Sequence, residues 1–346
     1  MKVHRRIAFA LGAILVAATL TTMNATPAMA DGTWTNLAPI AAGPRQENAT
    51  VALHGKVYLL GGLASAVPPP VTRDFETTSR VERYDPATDT WTTLAPMPKA
   101  LNHLNAAAVG GKIYVLGGMI PTPVTDYPWF AVGDSYVYDP ATNAWSTIAS
   151  MPLGTQRGAS AVAVSGTKVY LAGGAACLQG LQGECLVPTL GAFSSYDTAT
   201  NTWETLPSMP DNGRDHFPGV IDDGVMYTFG GRIGSISPAY PEVFAYNLST
   251  RVWSTVGTMP TPRSGTSGAL VGHKFYVMGG EGEPNSPIFD DNEAYNLNTG
   301  AWTILDPMPN PRHGTQAVSI GHNIYLPGGG FQQNAGLTDT NQRFRP

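Results

Sequence analysis

Short apolar runs recur along the chain at a spacing of about 50 residues, and each is closed by a pair of glycines. The first reads Lys56-Val57-Tyr58-Leu59-Leu60-Gly61-Gly62. Its equivalents end at Gly117-Gly118, Gly173-Gly174, Gly230-Gly231, Gly279-Gly280 and Gly328-Gly329. Each run is too short for a helix and lacks polar alternation, so it predicts a strand covered on both faces. Six such strands in phase predict a repeat architecture.

Further markers travel with each glycine pair. Tyr84, Tyr138, Tyr196, Tyr246 and Tyr295 follow the first five pairs, and Trp91, Trp145, Trp203, Trp253 and Trp302 each lie seven residues later. Turn sequences such as Asp85-Pro86-Ala87-Thr88 separate them, so Tyr and Trp are expected on paired strands. Met-Pro then follows at Met97, Met151, Met209, Met259 and Met308. The last unit has Phe344 at the Tyr position and no Trp after it. Trp34 stands 27 residues before Gly61, within the 26–28 seen in the other units. The strand around Trp34 is therefore expected to complete the last unit and close a ring, which hides sheet edges.

This pattern resembles the kelch repeat. The resemblance covers residues 31–346 and implies an all-β fold, a six-bladed kelch β-propeller whose blades each hold strands a to d. Strand b ends in Gly-Gly, strand c carries Tyr and strand d carries Trp.

The first 30 residues break the pattern. Lys2, Arg5 and Arg6 precede an apolar stretch from Ile7 to Leu20, and Ala28-Met29-Ala30 fits a cleavage site. They predict a signal peptide over 1–30, a secreted chain (extracellular or periplasmic) from Asp31, and no membrane association after cleavage. The formal net charge is −5 and becomes more negative without those three basic residues. No basic cluster occurs, so nucleic acid is not an expected partner. Charged residues make up 13% of the chain, against 39 glycines and 29 prolines, a composition suited to short strands and turns. Cys177 and Cys185 lie in one loop and, in an exported chain, are expected to form a disulfide.

Departures from the repeat locate function. From glycine pair to Tyr the chain spans 23, 21 and 23 residues in the first three units but 16 in the last three. The extra length falls in the b–c connections, on one face and one side of the ring, which marks a binding face. The d–a links share that face. They carry Arg45, Arg157, Arg214, Arg263 and Arg312, each thirteen residues before a strand-b Tyr, with Leu101 in the second unit. Such arginines either form a cationic ring for an anionic ligand or belong to the scaffold. Two residues further stand Glu47, His103, Ala159, His216, Gly265 and Gly314. In kelch propellers that bind a ligand at the ring centre, this neighbourhood and the residues after Gly-Gly line the mouth. The resemblance thus points to Glu47, His103, Arg214, Asp215, His216, Arg232, Glu281, Glu283 and His313 as site candidates. They offer either acid–base groups or a polar rim. Tyr127 and Trp129, on the second long connection, either stack on a sugar ring or pack their own loop.

Galactose oxidase shares a kelch-type propeller, but its copper chemistry is not expected. No histidine pair at ligand spacing occurs, the cysteines are expected to pair, and no metal or cofactor is called for. Hydrolase, zincin and phosphate-loop motifs do not occur. The expected role is that of a secreted, monomeric binding protein for a carbohydrate or an extracellular protein. The alternative is a sugar mutarotase or epimerase, because size, export and architecture also resemble bacterial N-acetylneuraminate epimerases.

Overall fold

A computed structural model describes residues 32–65, 75–121, 129–178, 189–283 and 285–346. Apart from one turn of 3-10 helix at Pro210–Asn212, these residues form strands and connections. The described residues build five four-stranded antiparallel sheets and a sixth in which a fifth, two-residue strand joins four, besides a three-stranded and a two-stranded piece in the connections. Sheet 1 uses Ala49–Leu53, Lys56–Leu60, Val81–Asp85 and Thr90–Thr93 as strands a to d. Sheets 2 to 5 repeat this order, with a strands at Ala106–Val109, Ala161–Ser165, Gly219–Asp222 and Ser267–Val271. Sheet 6 takes Val318–Ile320, Asn323–Pro327 and Asn341–Arg345 from the C-terminal end and Thr33–Leu37 as its fourth strand. The a strands are neighbours in sequence order, and that of sheet 6 also lies beside that of sheet 1.

The repeated residues explain this arrangement. Each Tyr sits directly opposite its Trp, as in Tyr84–Trp91, Tyr196–Trp203 and Tyr295–Trp302. Phe344 faces Trp34 in the same register, their ring centroids 4.9 Å apart. Cross-strand aromatic pairs stabilise a sheet beyond the area they bury. The Trp indole also donates to the preceding sheet, from Trp91 to the Ala38 carbonyl at 3.0 Å and from Trp203 to Ala149 at 2.9 Å. Each strand b is covered on both faces, as its unbroken apolar run requires.

The glycine pairs let adjacent sheets approach closely. Gly279 has a φ of +61°, and a Cβ there would lie 2.2 Å from the Arg312 carbonyl of the next sheet. The amide of Gly280 donates to that same carbonyl at 2.9 Å. Sheet 2 departs from the expected pattern. Its strand b runs on through the glycines to Pro121 and pairs with Trp129–Asp139, with a register break between Leu116 and Gly118. The long connection there is thus largely an extended hairpin, and Cys177–Leu178 of the next unit adds a short edge to it. Cys185 and Tyr127 lie outside the described residues.

Candidate functional site

The six positions two residues beyond the repeated arginine, or beyond Leu101 in sheet 2, are joined to one another. Glu47, His103, Ala159, His216, Gly265 and Gly314 all have left-handed φ values, between +49° and +62°. In this conformation each amide points to the preceding sheet. His103 donates to Glu47 O at 2.9 Å, Ala159 to His103 at 2.8 Å and His216 to Ala159 at 3.0 Å. Gly265 donates to His216 at 2.7 Å, Gly314 to Gly265 at 3.0 Å and Glu47 to Gly314 at 2.6 Å, which closes a cycle of six hydrogen bonds. The side chains of Glu47, His103 and His216 stand at one end of an axial cavity of ≈ 410 Å³. Its walls mix small apolar side chains of the a strands, among them Ala107, Val162, Val220 and Ala269, with polar ones such as Thr50, Gln316 and Ser319.

A buried ionic network surrounds that end. His103 Nε2 lies 3.1 Å from Glu47 Oε2, and its Nδ1 lies 2.6 Å from Asn102 Oδ1. His216 Nδ1 lies 2.6 Å from Asp215 Oδ1, which also accepts from Arg232 Nε at 3.2 Å. Thr189 donates to the other oxygen of Asp215. Arg232 Nη1 reaches Glu281 Oε1 at 2.6 Å, and Glu281 Oε2 lies 3.5 Å from His313 Nδ1. Burial pushes the His103 imidazole down to about 4, against the pull of Glu47. Burial pushes Asp215 up, but His216, Arg232 and Thr189 outweigh it and hold the carboxyl at about 2. Glu281 is likewise raised by burial and held at about 2 by His313 and Arg232. Burial also raises Glu47, yet His103, His216 and His313 together leave it below the usual carboxylate range.

The structure thus brings Glu47, His103, Asp215, His216, Arg232, Glu281 and His313 into one cluster. Glu283 stands apart on the exposed rim, accepting from Ser237 Oγ at 2.7 Å. Trp129 is buried, its ring 5.3 Å from His103 and 6.0 Å from Phe75, so it packs the mouth. Arg214 belongs to the scaffold with the other four repeated arginines, all at most 1% exposed. Arg263 shows why: Nε donates to Gly279 O at 2.8 Å, Nη1 to Glu293 at 2.6 Å and Nη2 to Val277 O at 3.1 Å. Such enclosed guanidinium groups tie the incoming link to strands b and c of its own sheet, with their donors taken up inside the scaffold. In sheet 2, Leu101 replaces the arginine and joins an apolar cluster with Tyr136. Asn102, which orients His103, was not among the candidates although it holds the same repeat position as Asp215; Thr189, which holds Asp215, comes from a connection outside the repeat.

Comparison with known proteins fits this geometry. The Kelch motif model matches residues 44–98 and 101–152. The KLHDC2/KLHL20/DRC7 Kelch-repeats domain model matches residues 187–330. Kelch-like protein terF of Aspergillus terreus is 38% identical over 246 residues, covering 70% of this chain and 52% of that protein. Kelch repeat and BTB domain-containing protein 12 of Danio rerio is 29% identical over 183 residues, 52% of this chain and 28% of that one. The chain therefore matches about half the length of the first relative and less of the second. The solved structure of YjhT superposes with a TM-score of 0.71 at 16% identity, over 88% of this chain and 95% of its own, a likeness of fold. With motif models on both halves and the same markers in each sheet, the chain belongs to the kelch-repeat family.

Proposed function

We propose that the chain is a six-bladed ring closed by its N-terminal strand, and that it binds a protein partner on the face carrying the b–c connections. The cycle of six hydrogen bonds and the pairing of Thr33–Leu37 with Asn341–Arg345 support the ring. The observation that carries the partner reading is the contrast between mouth and rim. Side chains of the mouth cluster are nearly closed off, with Glu47 the most exposed at 12%. The surrounding connections instead expose Ile233, Phe331 and Glu283. These connections are laced together, since Glu283 accepts from Ser237 through its side chain and from Gln333 Nε2 through its carbonyl at 2.6 Å. A firm rim with scattered apolar side chains suits a macromolecule better than a single sugar.

Affinity capture from the medium of the producing cells tests this reading. A partner retained by the wild type should be lost by Ile233→Asp and Phe331→Asp and kept by Ile304→Asp, on an outer strand. Equal retention by all three variants would refute the assigned face. The carbohydrate reading and the mutarotase reading both need a sugar to reach the mouth. Proton NMR against monosaccharides separates them, through line broadening for binding and faster anomer exchange for catalysis. We further propose that residues 1–30 are a cleaved leader, that the mature chain is secreted as a monomer, and that Cys177 and Cys185 pair. Sequencing the secreted chain from Asp31, with no titratable thiol before reduction, is the expected outcome.

A further inference from the structure

Two histidines at the mouth present ring nitrogens that their own hydrogen bonds leave as lone pairs. Asn102 donates its amide to Thr77 Oγ1 at 2.8 Å, so its Oδ1 faces His103 and accepts from Nδ1–H at 2.6 Å. His103 Nε2 is then an acceptor, yet it lies 3.1 Å from Glu47 Oε2, another acceptor. His216 Nδ1–H donates to Asp215 Oδ1 at 2.6 Å, and Asp215 is itself held by Arg232 and Thr189. His216 Nε2 is buried with no hydrogen-bond partner, and its side chain is 3% exposed. A proton on His103 would relieve the contact with Glu47 but would leave His216 Nε2 without a partner. A buried polar atom left alone is costly, so the arrangement calls for something placed between the three groups.

A cation fits. One ligand atom from each of Glu47, His103 and His216 can be chosen so that all lie within 4.8 Å of one another. Both imidazoles are held from behind by an oxygen acceptor, the outer-partner arrangement that fixes the tautomer of metal-bound histidine. The mouth gathers the carboxylates of Glu47, Asp215 and Glu281 against the guanidinium of Arg232, so a dication balances the charge. Space for the Glu47 carboxylate exists because residue 314 is glycine, where a Cβ would lie within contact distance of Glu47 Oε1 and Cδ. We propose that Glu47, His103 and His216 form a binding site for a divalent first-row transition-metal ion, with Asp215 and Asn102 as outer partners. Two imidazoles and a carboxylate suit Zn²⁺, Fe²⁺ or Co²⁺ rather than Ca²⁺ or Mg²⁺, which favour all-oxygen sites. The ion would sit at the head of the axial cavity, which these same three residues line. The inference is independent of the partner reading, because it concerns the buried end of the cavity and not the rim.

Tag-free mature protein, stripped with chelator, is dialysed against Zn²⁺ or Co²⁺ and the bound metal is counted. The expected result is one ion per chain, with cobalt spectra of nitrogen and oxygen ligation. In the cobalt-loaded wild type, two exchangeable, strongly shifted proton resonances are expected from Nδ1–H of His103 and His216. Glu47→Gln and His216→Gln should each weaken binding at least about 100-fold, while Asp215→Asn weakens it about 10- to 100-fold through the second histidine. His273→Gln serves as control, because Asp222, Asp223 and His273 form an exposed group of donor atoms elsewhere. Absence of binding at about 100 μM metal would overturn the proposal. So would stoichiometry lost in His273→Gln and kept in His216→Gln. Should a mouth variant fail to fold, the wild-type cobalt resonances decide, and their absence counts against the site.

Discussion

Gly279 and Gly272 adopt nearly the same backbone conformation, with φ values of +61° and +59°, in different surroundings. A Cβ on Gly272 meets nothing within 4 Å. A Cβ on Gly279 would lie 2.2 Å from the Arg312 carbonyl oxygen and 3.1 Å from Met308 Sδ. Alanine at either position incurs the left-handed penalty of about 1–2 kcal/mol. At Gly279 the next sheet must also retreat by roughly 1 Å, which strains the packing by about 1–3 kcal/mol. The bond from Gly280 N to Arg312 O is then stretched, for about 1 kcal/mol more. Gly279→Ala should therefore cost about 3–6 kcal/mol and Gly272→Ala about 1–2 kcal/mol. Urea unfolding followed by tryptophan fluorescence measures both. Equal losses for the two variants would refute the claim that the glycine pair exists for the approach of the neighbouring sheet.

Three further outcomes are expected. Glu293→Ala leaves the Arg263 cation enclosed without its carboxylate and should cost about 3–5 kcal/mol, and Arg263→Met should destabilise without altering ligand affinity. A double-mutant cycle in urea reads the coupling, and an additive pair would argue against the scaffold role. Removing residues 32–38 takes away the partner of Asn341–Arg345 and the ring on Phe344, so the melting temperature should fall sharply and Trp34→Ala should give part of the loss. Burial pushes the Tyr196 phenol up to about 12, assisted by Tyr114 and Asp197. Its folded value exceeds the unfolded value near 10, so its contribution to stability is complete below about pH 10 and is lost as pH rises through 12. Absorbance titration should show Tyr196→Phe removing tyrosinate signal only at the alkaline end.

The scaffold was legible because its residues recur in phase. Tyr and Trp face one another, the glycines sit where sheets touch, and Phe344 and Trp34 fill the places that the repeat reserves for them. The mouth was legible only in part. Glu47, His103 and His216 share one repeat position, so their convergence followed from the period, as did that of Asp215 beside His216. Their hydrogen-bonding was less legible: Asn102 beside His103 repeats the place of Asp215 beside His216, but Thr189 is a single occurrence that the fold brings in from another connection. The proposed metal site gave no motif in the sequence. Its three donors come from separate sheets and show no local ligand spacing. Trp129 offered two readings in sequence, and only its contacts with His103 and Phe75 chose between them.

Closure of the ring is the claim on which the mouth, the rim and the axial cavity all depend. Hydrogen exchange resolved to single amides tests it most directly. The account predicts that the amides of Glu47, His103, Ala159, His216, Gly265 and Gly314 exchange together among the slowest, and that the pairing of Thr33–Leu37 with Asn341–Arg345 is protected like that of any other sheet. Rapid exchange at Glu47 and along Thr33–Leu37, with the other five mouth amides still protected, would show a ring open between sheets 6 and 1 and would contradict it.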